Sequence, residues 1–210
     1  MKKTLLLVTF LAFIFLAAME SQAGDAAAGK KTWDSVCVAC HGAQGEGNVA
    51  LNAPANGGQD EWYVIRQLKN FKAGIRGSHE KDTYGAQMRP MAMTLADDKA
   101  IEDVSAYVSS LPAPKVEATV SGNADAGKKH YAVCTACHGA QGEGNKSLNA
   151  PRLTGQHAWY LARQLEYFRD GIRGSHAKDI YGQQMVPMSM TLATEEQVND
   201  VVAYIISLEQ

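Results

Sequence analysis

A chain of 210 residues that is 46% hydrophobic, with 20 basic and 22 acidic side chains, can build one large domain or two small ones. The formal charge of −2 excludes the basic footprint of a nucleic-acid-binding protein. Residues 24–112 carry 9 basic and 11 acidic side chains and residues 121–210 carry 8 and 9, so both halves expose a mixed, solvated surface.

Residues 1–23 open with Lys2 and Lys3, continue as an apolar stretch from Leu5 to Ala18 and end on Ser21, Gln22 and Ala23. This is the basic, apolar, small-residue order of a secretory signal peptide. The apolar run is short for a membrane span, which needs roughly 20 residues. The expected mature chain starts at Gly24, without a transmembrane span, in the oxidising periplasm; peripheral association with a membrane surface stays open.

Two copies of one unit follow. An offset of 97 takes Cys37 to Cys134, Pro54 to Pro151, Trp62 to Trp159, His79 to His176 and Met88 to Met185, without insertion or deletion from Cys37 to Leu111. A period this long, present twice, denotes a duplicated domain rather than a solenoid. The expected domains are residues 24–112 and 121–210, joined by a Pro-bearing linker over 113–120 that lacks helical periodicity.

Each copy has helical patterning. The first element runs from about Asp25 to Cys37, with Gly29 and Trp33 one turn apart, and its counterpart carries Gly127 and Tyr131. The second places Trp62, Ile65, Leu68 and Phe71 on one face before Gly74, a helix stop. The last places Ile101, Val104, Val108 and Leu111 on one face; in the second copy Thr194 and Gln197 have capping-box spacing. No alternating strand pattern is found. The prediction is an all-α protein with three to four helices per domain and a core too lean for its size, which calls for a filler.

The cysteines sit in "VCVACHGAQGEGN" from Val36 and "VCTACHGAQGEGN" from Val133. A thioredoxin-like Cys-x-x-Cys needs βαβ elements, and a zinc ribbon needs its two pairs about 15–20 residues apart; neither condition holds. A simple disulfide leaves the histidine after each second cysteine unexplained. Covalent haem accounts for all three residues: Cys37, Cys40, Cys134 and Cys137 bind the vinyl groups, and His41 and His138 ligate the iron. The glycine-rich "GAQGEG" lacks the Lys-Ser/Thr and the preceding strand of a phosphate loop.

Both halves resemble class I cytochrome c domains, and the tandem resembles the dihaem cytochrome c4 family. The likeness rests on Gly29, Cys37-x-x-Cys40-His41, Pro54, Tyr63-x-x-Arg66-Gln67-Leu68, Met88, Leu95 and the closing "AYVSSL", repeated from Gly127 through Pro151, Tyr160, Arg163, Gln164 and Met185 to "AYIISL". It implies two covalent haem c groups. It also implies that Gly29 and Gly127 let the first helix cross closely against Tyr107 and Tyr204. Pro54 and Pro151 would accept the second ring N–H of the ligating histidines. Tyr63, Arg66, Gln67, Tyr160, Arg163 and Gln164 would bond the haem propionates, the bland alternative being a solvated helix face. Trp62 and Trp159 are expected to pack in the core beside the haem. "PANGGQ" departs from "PRLTGQ" by placing Asn56 where the second copy has Leu153, which bears on how dry the first haem edge is.

Methionine on the other side of the iron suits electron transfer, and an open site suits peroxide or gas chemistry. Each half has three methionines: Met88, Met91 and Met93, then Met185, Met188 and Met190. By the family spacing before the leucine that introduces the last helix, Met88 and Met185 are the expected ligands, presented by a loop. The others pack apolar surface. His79 and His176 are rival ligands in exposed "GIRGSH" loops, and His130 and His157 are weaker ones. The resulting expectation is a periplasmic dihaem one-electron carrier. Its partners would be redox proteins such as a quinol-oxidising complex and a terminal oxidase or reductase. A haem peroxidase-like enzyme is the competing reading.

Overall fold

A computed structural model describes residues 24–117 and 119–208, so the expected signal peptide lies outside the described residues. Helix α1 (Ala26–Thr32) starts where the Asp25 side chain accepts the N–H groups of Ala27 and Ala28, a cap that stabilises by about 1 kcal/mol. It passes through a π-helical turn, Trp33–Cys37, into the short α2 (Val38–His41). After a loop closed by an antiparallel bridge between Asn48 and Ala53 come α3 (Glu61–Lys72), α4 (Thr83–Met93) and α5 (Asp98–Ser110). The second lobe repeats the order as α6 (Ala124–Tyr131), α7 (Thr135–His138), a 3₁₀ turn (Lys146–Leu148), α8 (Ala158–Arg169), α9 (Gly182–Met190) and α10 (Glu195–Ser207). The capping box at Thr194 and Gln197 is present in full. Among the described residues the β-structure consists of isolated bridges, Asn48–Ala53 and Asn145–Ala150.

The π-helical turn has a cause in the sequence. Gly29 and Cys37 are eight positions apart, whereas Gly127 and Cys134 are seven. Both glycines and both cysteines occupy equivalent places, so the first lobe must absorb one extra residue within a helix, and a π turn does that. The fixed point is the crossing of the first and last helices. A Cβ on Gly29 would stand 1.9 Å from Asp103 O and one on Gly127 1.9 Å from Asp200 O. The near neighbour is thus the backbone one turn before Tyr107 and Tyr204 rather than the tyrosine rings alone. The same aspartates tie the helix starts, since Asp25 N–H donates to Asp103 Oδ1 and Asn123 N–H to Asp200 Oδ1, both at 2.6 Å.

Each core lies between the first, third and last helices of its lobe. The first is built from Trp33, Leu95, Ile101, Val104 and Val108. The second is larger: Tyr131, Leu161 and Leu192 join the α10 residues Val198, Val201, Val202, Ile205 and Ile206, with Ala158 and Ala162 filling the gaps. The segments expected as methionine-bearing loops are helices. Asp82 caps α4 by accepting the Gly85 N–H at 2.9 Å, and Asp179, two residues before the Tyr181 cap position of α9, accepts the Gly182 N–H at 3.0 Å. Pro90 and Pro187 are accommodated inside them, each removing one donor from the helix ladder.

The lobes meet through a reciprocal set of contacts. Arg66 donates to Asn149 Oδ1 and O at 3.2 and 3.0 Å and lies over the Tyr181 ring at 4.6 Å. Its counterpart Arg163 donates to Asn52 Oδ1 at 2.6 Å and lies over Tyr84 at 4.1 Å. Asn52 and Asn149 have φ of 55° and 57°, the left-handed conformation that asparagine tolerates better than most residues. Gln156 adds a two-point clasp on the Ala55 backbone, accepting from its N–H at 3.1 Å and donating to its carbonyl at 2.8 Å.

Candidate haem-binding site

Each Cys-x-x-Cys-His segment ends in a half-buried cysteine, an exposed cysteine and a buried histidine. Cys37 and Cys134 are half-buried, and Cys40 and Cys137 exposed. Among the described residues no three His, Cys, Asp or Glu side chains converge to hold an ion, so the cysteines do not assemble a zinc-type ligand set.

The histidines are oriented for metal ligation. His41 Nδ1 donates to Pro54 O at 2.9 Å and His138 Nδ1 to Pro151 O at 2.8 Å. Each bond fixes the tautomer and frees Nε2. Burial holds both imidazoles below their usual range despite the proline carbonyls, so they are neutral, the ligating form. Both sites open into one cavity of about 440 Å³ between the lobes, lined by Cys37, Cys40, His41 and Met88 and by Cys134, Cys137, His138 and Met185. Met91 and Met188 also line it, whereas Met93 and Met190 are more than 60% exposed.

Two arginines that the sequence reading passed over stand at the centre of this cavity. Arg76 and Arg173 are each only 9% exposed. Arg76 donates to Gln67 of its own lobe at 2.7 Å and to Tyr160 and Gln164 of the other at 2.7 and 3.1 Å. Arg173 mirrors this toward Gln164 at 2.6 Å, Tyr63 at 3.0 Å and Gln67 at 3.1 Å. All these partners are neutral, and the buried Nε atoms of both arginines have no partner. Two buried guanidiniums without a paired carboxylate are costly unless an anion joins them. The field they make is visible at Tyr63: burial pushes its phenol up, yet Arg173 and Arg76 bring it below its ordinary value. The cavity therefore fits a flat apolar group that ends in carboxylates, as haem does. The repeated "GIRGSH" carries this signal in its arginine and not in its histidine.

The remaining sequence candidates are placed as follows. Tyr63, Gln67, Tyr160 and Gln164 line the cavity and hold the central arginines. Arg66 and Arg163 also line it, with their bonded tips on the opposite lobe's asparagines. Trp62 and Trp159 do not line the cavity; they lie 4.9 Å from the guanidiniums of Arg66 and Arg163. His79 and His176 face a separate 110 Å³ pocket between the two "GIRGSH" loops. Their Nδ1 atoms accept the N–H groups of Lys81 and Lys178. His157 reaches Glu46 O across the lobe boundary at 2.8 Å.

The comparisons with known proteins agree with this geometry. The family model described as Cytochrome c matches residues 26–112 and again 124–209. The chain is 37% identical to cytochrome c4 of Azotobacter vinelandii over 178 residues, 80% of this chain and 83% of that one. It is 29% identical over 214 residues to a thiosulfate dehydrogenase electron acceptor of Stutzerimonas stutzeri, 93% of this chain and 91% of the relative. The crystal structure of reduced recombinant cytochrome c4 from Pseudomonas stutzeri superposes with a TM-score of 0.67 at 32% identity, covering 88% of this chain and 98% of that chain. The two-fold family match, the all-helical duplicated lobes and the paired Cys-x-x-Cys-His sites place this chain in the cytochrome c4 family, as a dihaem c-type electron carrier with two covalently bound haem c groups.

Proposed function

We propose that the protein is a periplasmic one-electron carrier between respiratory complexes, such as a quinol-oxidising complex and a terminal oxidase or reductase. In this reading Cys37 with Cys40 and Cys134 with Cys137 form the thioether bonds. His41 and Met88 would hold the first iron, and His138 and Met185 the second. The haem irons supply the reversible one-electron chemistry. The chain keeps each imidazole neutral and oriented through the Pro54 and Pro151 carbonyls, and Arg76 and Arg173 meet the propionate charge. The carrying observation is that both histidine–methionine sets border one cavity. Electrons can therefore pass between the sites without leaving the protein.

No described helix is long and apolar enough to cross a membrane, which suits a carrier that diffuses between partners. The likeness to a thiosulfate dehydrogenase electron acceptor adds a thiosulfate dehydrogenase to the candidate donors. A spectroelectrochemical titration of the mature protein tests the reading. Two one-electron waves and a reduced spectrum unchanged by carbon monoxide are expected, because methionine closes the sixth position. Rapid carbon monoxide binding at either site would instead indicate a small haem enzyme.

A further inference from the structure

The two ligand histidines differ in their neighbours: the Trp33 ring lies 6.1 Å from that of His41, where the second lobe has Tyr131, and Asn56 stands beside His41 alone. His41 Nδ1 lies 2.9 Å from Pro54 O and 2.8 Å from the side-chain amide of Asn56. At the position equivalent to Asn56 the second lobe has Leu153, which packs against the α10 core. The backbone is the same in both lobes: Asn56 N–H donates to Gly45 O at 2.7 Å and Leu153 N–H to Gly142 O at 2.8 Å. At this position the two lobes keep that backbone bond and differ in the side chain.

A neutral imidazole carries one ring proton. With Nε2 given to iron, Nδ1 keeps that proton and donates it to Pro54 O. The amide beside it must then present its oxygen, which a half-turn about the Asn56 Cβ–Cγ bond achieves by exchanging Oδ1 and Nδ2 in place. The Nδ1–H of His41 is so shared between two acceptors, while that of His138 has the Pro151 carbonyl. Added acceptor strength at Nδ1 makes the ring a stronger donor at Nε2 and favours the more positive, oxidised metal. Leu153 acts in the opposite direction at the second site, because apolar surroundings disfavour the extra charge of the oxidised state.

We infer that Asn56 is a positioning residue that lowers the reduction potential of the first site through its contact with His41 Nδ1. This rests on the ligand reading above. The test uses full-length dihaem protein carrying Asn56→Leu, Asn56→Asp or Leu153→Asn. Asn56→Leu is expected to raise one wave alone, with a fall of about tenfold in the oxidised-to-reduced ratio at fixed applied potential, or 59 mV for a one-electron couple. Asn56→Asp, a stronger acceptor of similar shape, lowers the same wave, and Leu153→Asn lowers the other one. In the reduced, diamagnetic protein the Nδ1–H resonance of His41 lies downfield of that of His138 and moves upfield in Asn56→Leu. Two waves that neither Asn56 variant displaces, or a His41 proton that does not respond, would overturn the role of Asn56 and leave the carrier reading intact. Protein that takes up no haem would overturn both.

Discussion

The two lobes perform the same chemistry with unequal supports. Both keep the Cys-x-x-Cys-His segment, the proline carbonyl and the glycine crossing. Around them the first lobe has a π-helical turn, a core of five buried residues and a polar Asn56. The second has α6 ending at Tyr131 with a turn before α7, a core of ten and the apolar Leu153. Even the brace against the Cys-x-x-Cys-His segment has drifted: Trp33 Nε1–H donates to Gly42 O at 3.1 Å where Tyr131 OH donates to Gly139 O at 2.9 Å. Packing drifted while ligand geometry did not, because a core accepts many side chains of similar volume and a metal site accepts few donor arrangements.

The largest test of this contrast removes one haem at a time. Cys37→Ala with Cys40→Ala, and Cys134→Ala with Cys137→Ala, should each leave about half the haem absorbance. The emptied first lobe should lose its helical circular dichroism, whereas the emptied second lobe should retain much of it through its larger core. Equal collapse of both would mean that haem, and not side-chain packing, holds either lobe together.

The glycine crossings come next. Gly29→Ala and Gly127→Ala each force a methyl group against a backbone carbonyl, and overpacking of this kind costs about 1–3 kcal/mol. Thermal unfolding should show the first variant destabilised less than the second, because the π turn beside Gly29 offers a helix that can shift. Equal losses would show that the turn is rigid.

The lobe boundary separates the two arginines more finely. Arg66→Ala removes two hydrogen bonds and the stacking on Tyr181, and Arg163→Ala one bond and the stacking on Tyr84. With neutral partners at roughly 1 kcal/mol per net bond, Arg66→Ala should weaken inter-lobe docking more. Hydrogen exchange at Asn52 and Asn149 would measure it.

The smallest expected effect is acid sensitivity confined to the first lobe. Burial opposes ionisation of Asp103, but Lys99 and the Asp25 N–H hold its carboxyl below the usual range. A group depressed on folding stabilises above its unfolded pKa, about 3.9, and that contribution is lost as pH falls through the still lower folded value. The second lobe has Glu196 at the position of Lys99. Lys99→Ala should therefore narrow the stability difference between pH 7 and pH 3 for the first lobe and leave the second unchanged.

What the sequence determined by itself was whatever is written in local spacing: the 97-residue repeat, the helical periods, the capping box at Thr194 and the Cys-x-x-Cys-His segments. Local patterns suffice there because covalent attachment and helix capping involve residues a few positions apart. The crossing at Gly29 and Gly127 was implied by the family resemblance, and it lies against the backbone of Asp103 and Asp200. Only the tertiary structure decided the rest. The reciprocal roles of Arg76 and Arg173 depend on partners from the opposite lobe, more than 80 positions away, and no local pattern encodes them. Met88 and Met185 lie in helices that accommodate Pro90 and Pro187, with Asp82 as the cap of the first. The meeting of Asn56 with His41 is likewise set by where the loop returns after the Asn48–Ala53 bridge, since a hydrogen bond depends on distance in space and not on separation along the chain.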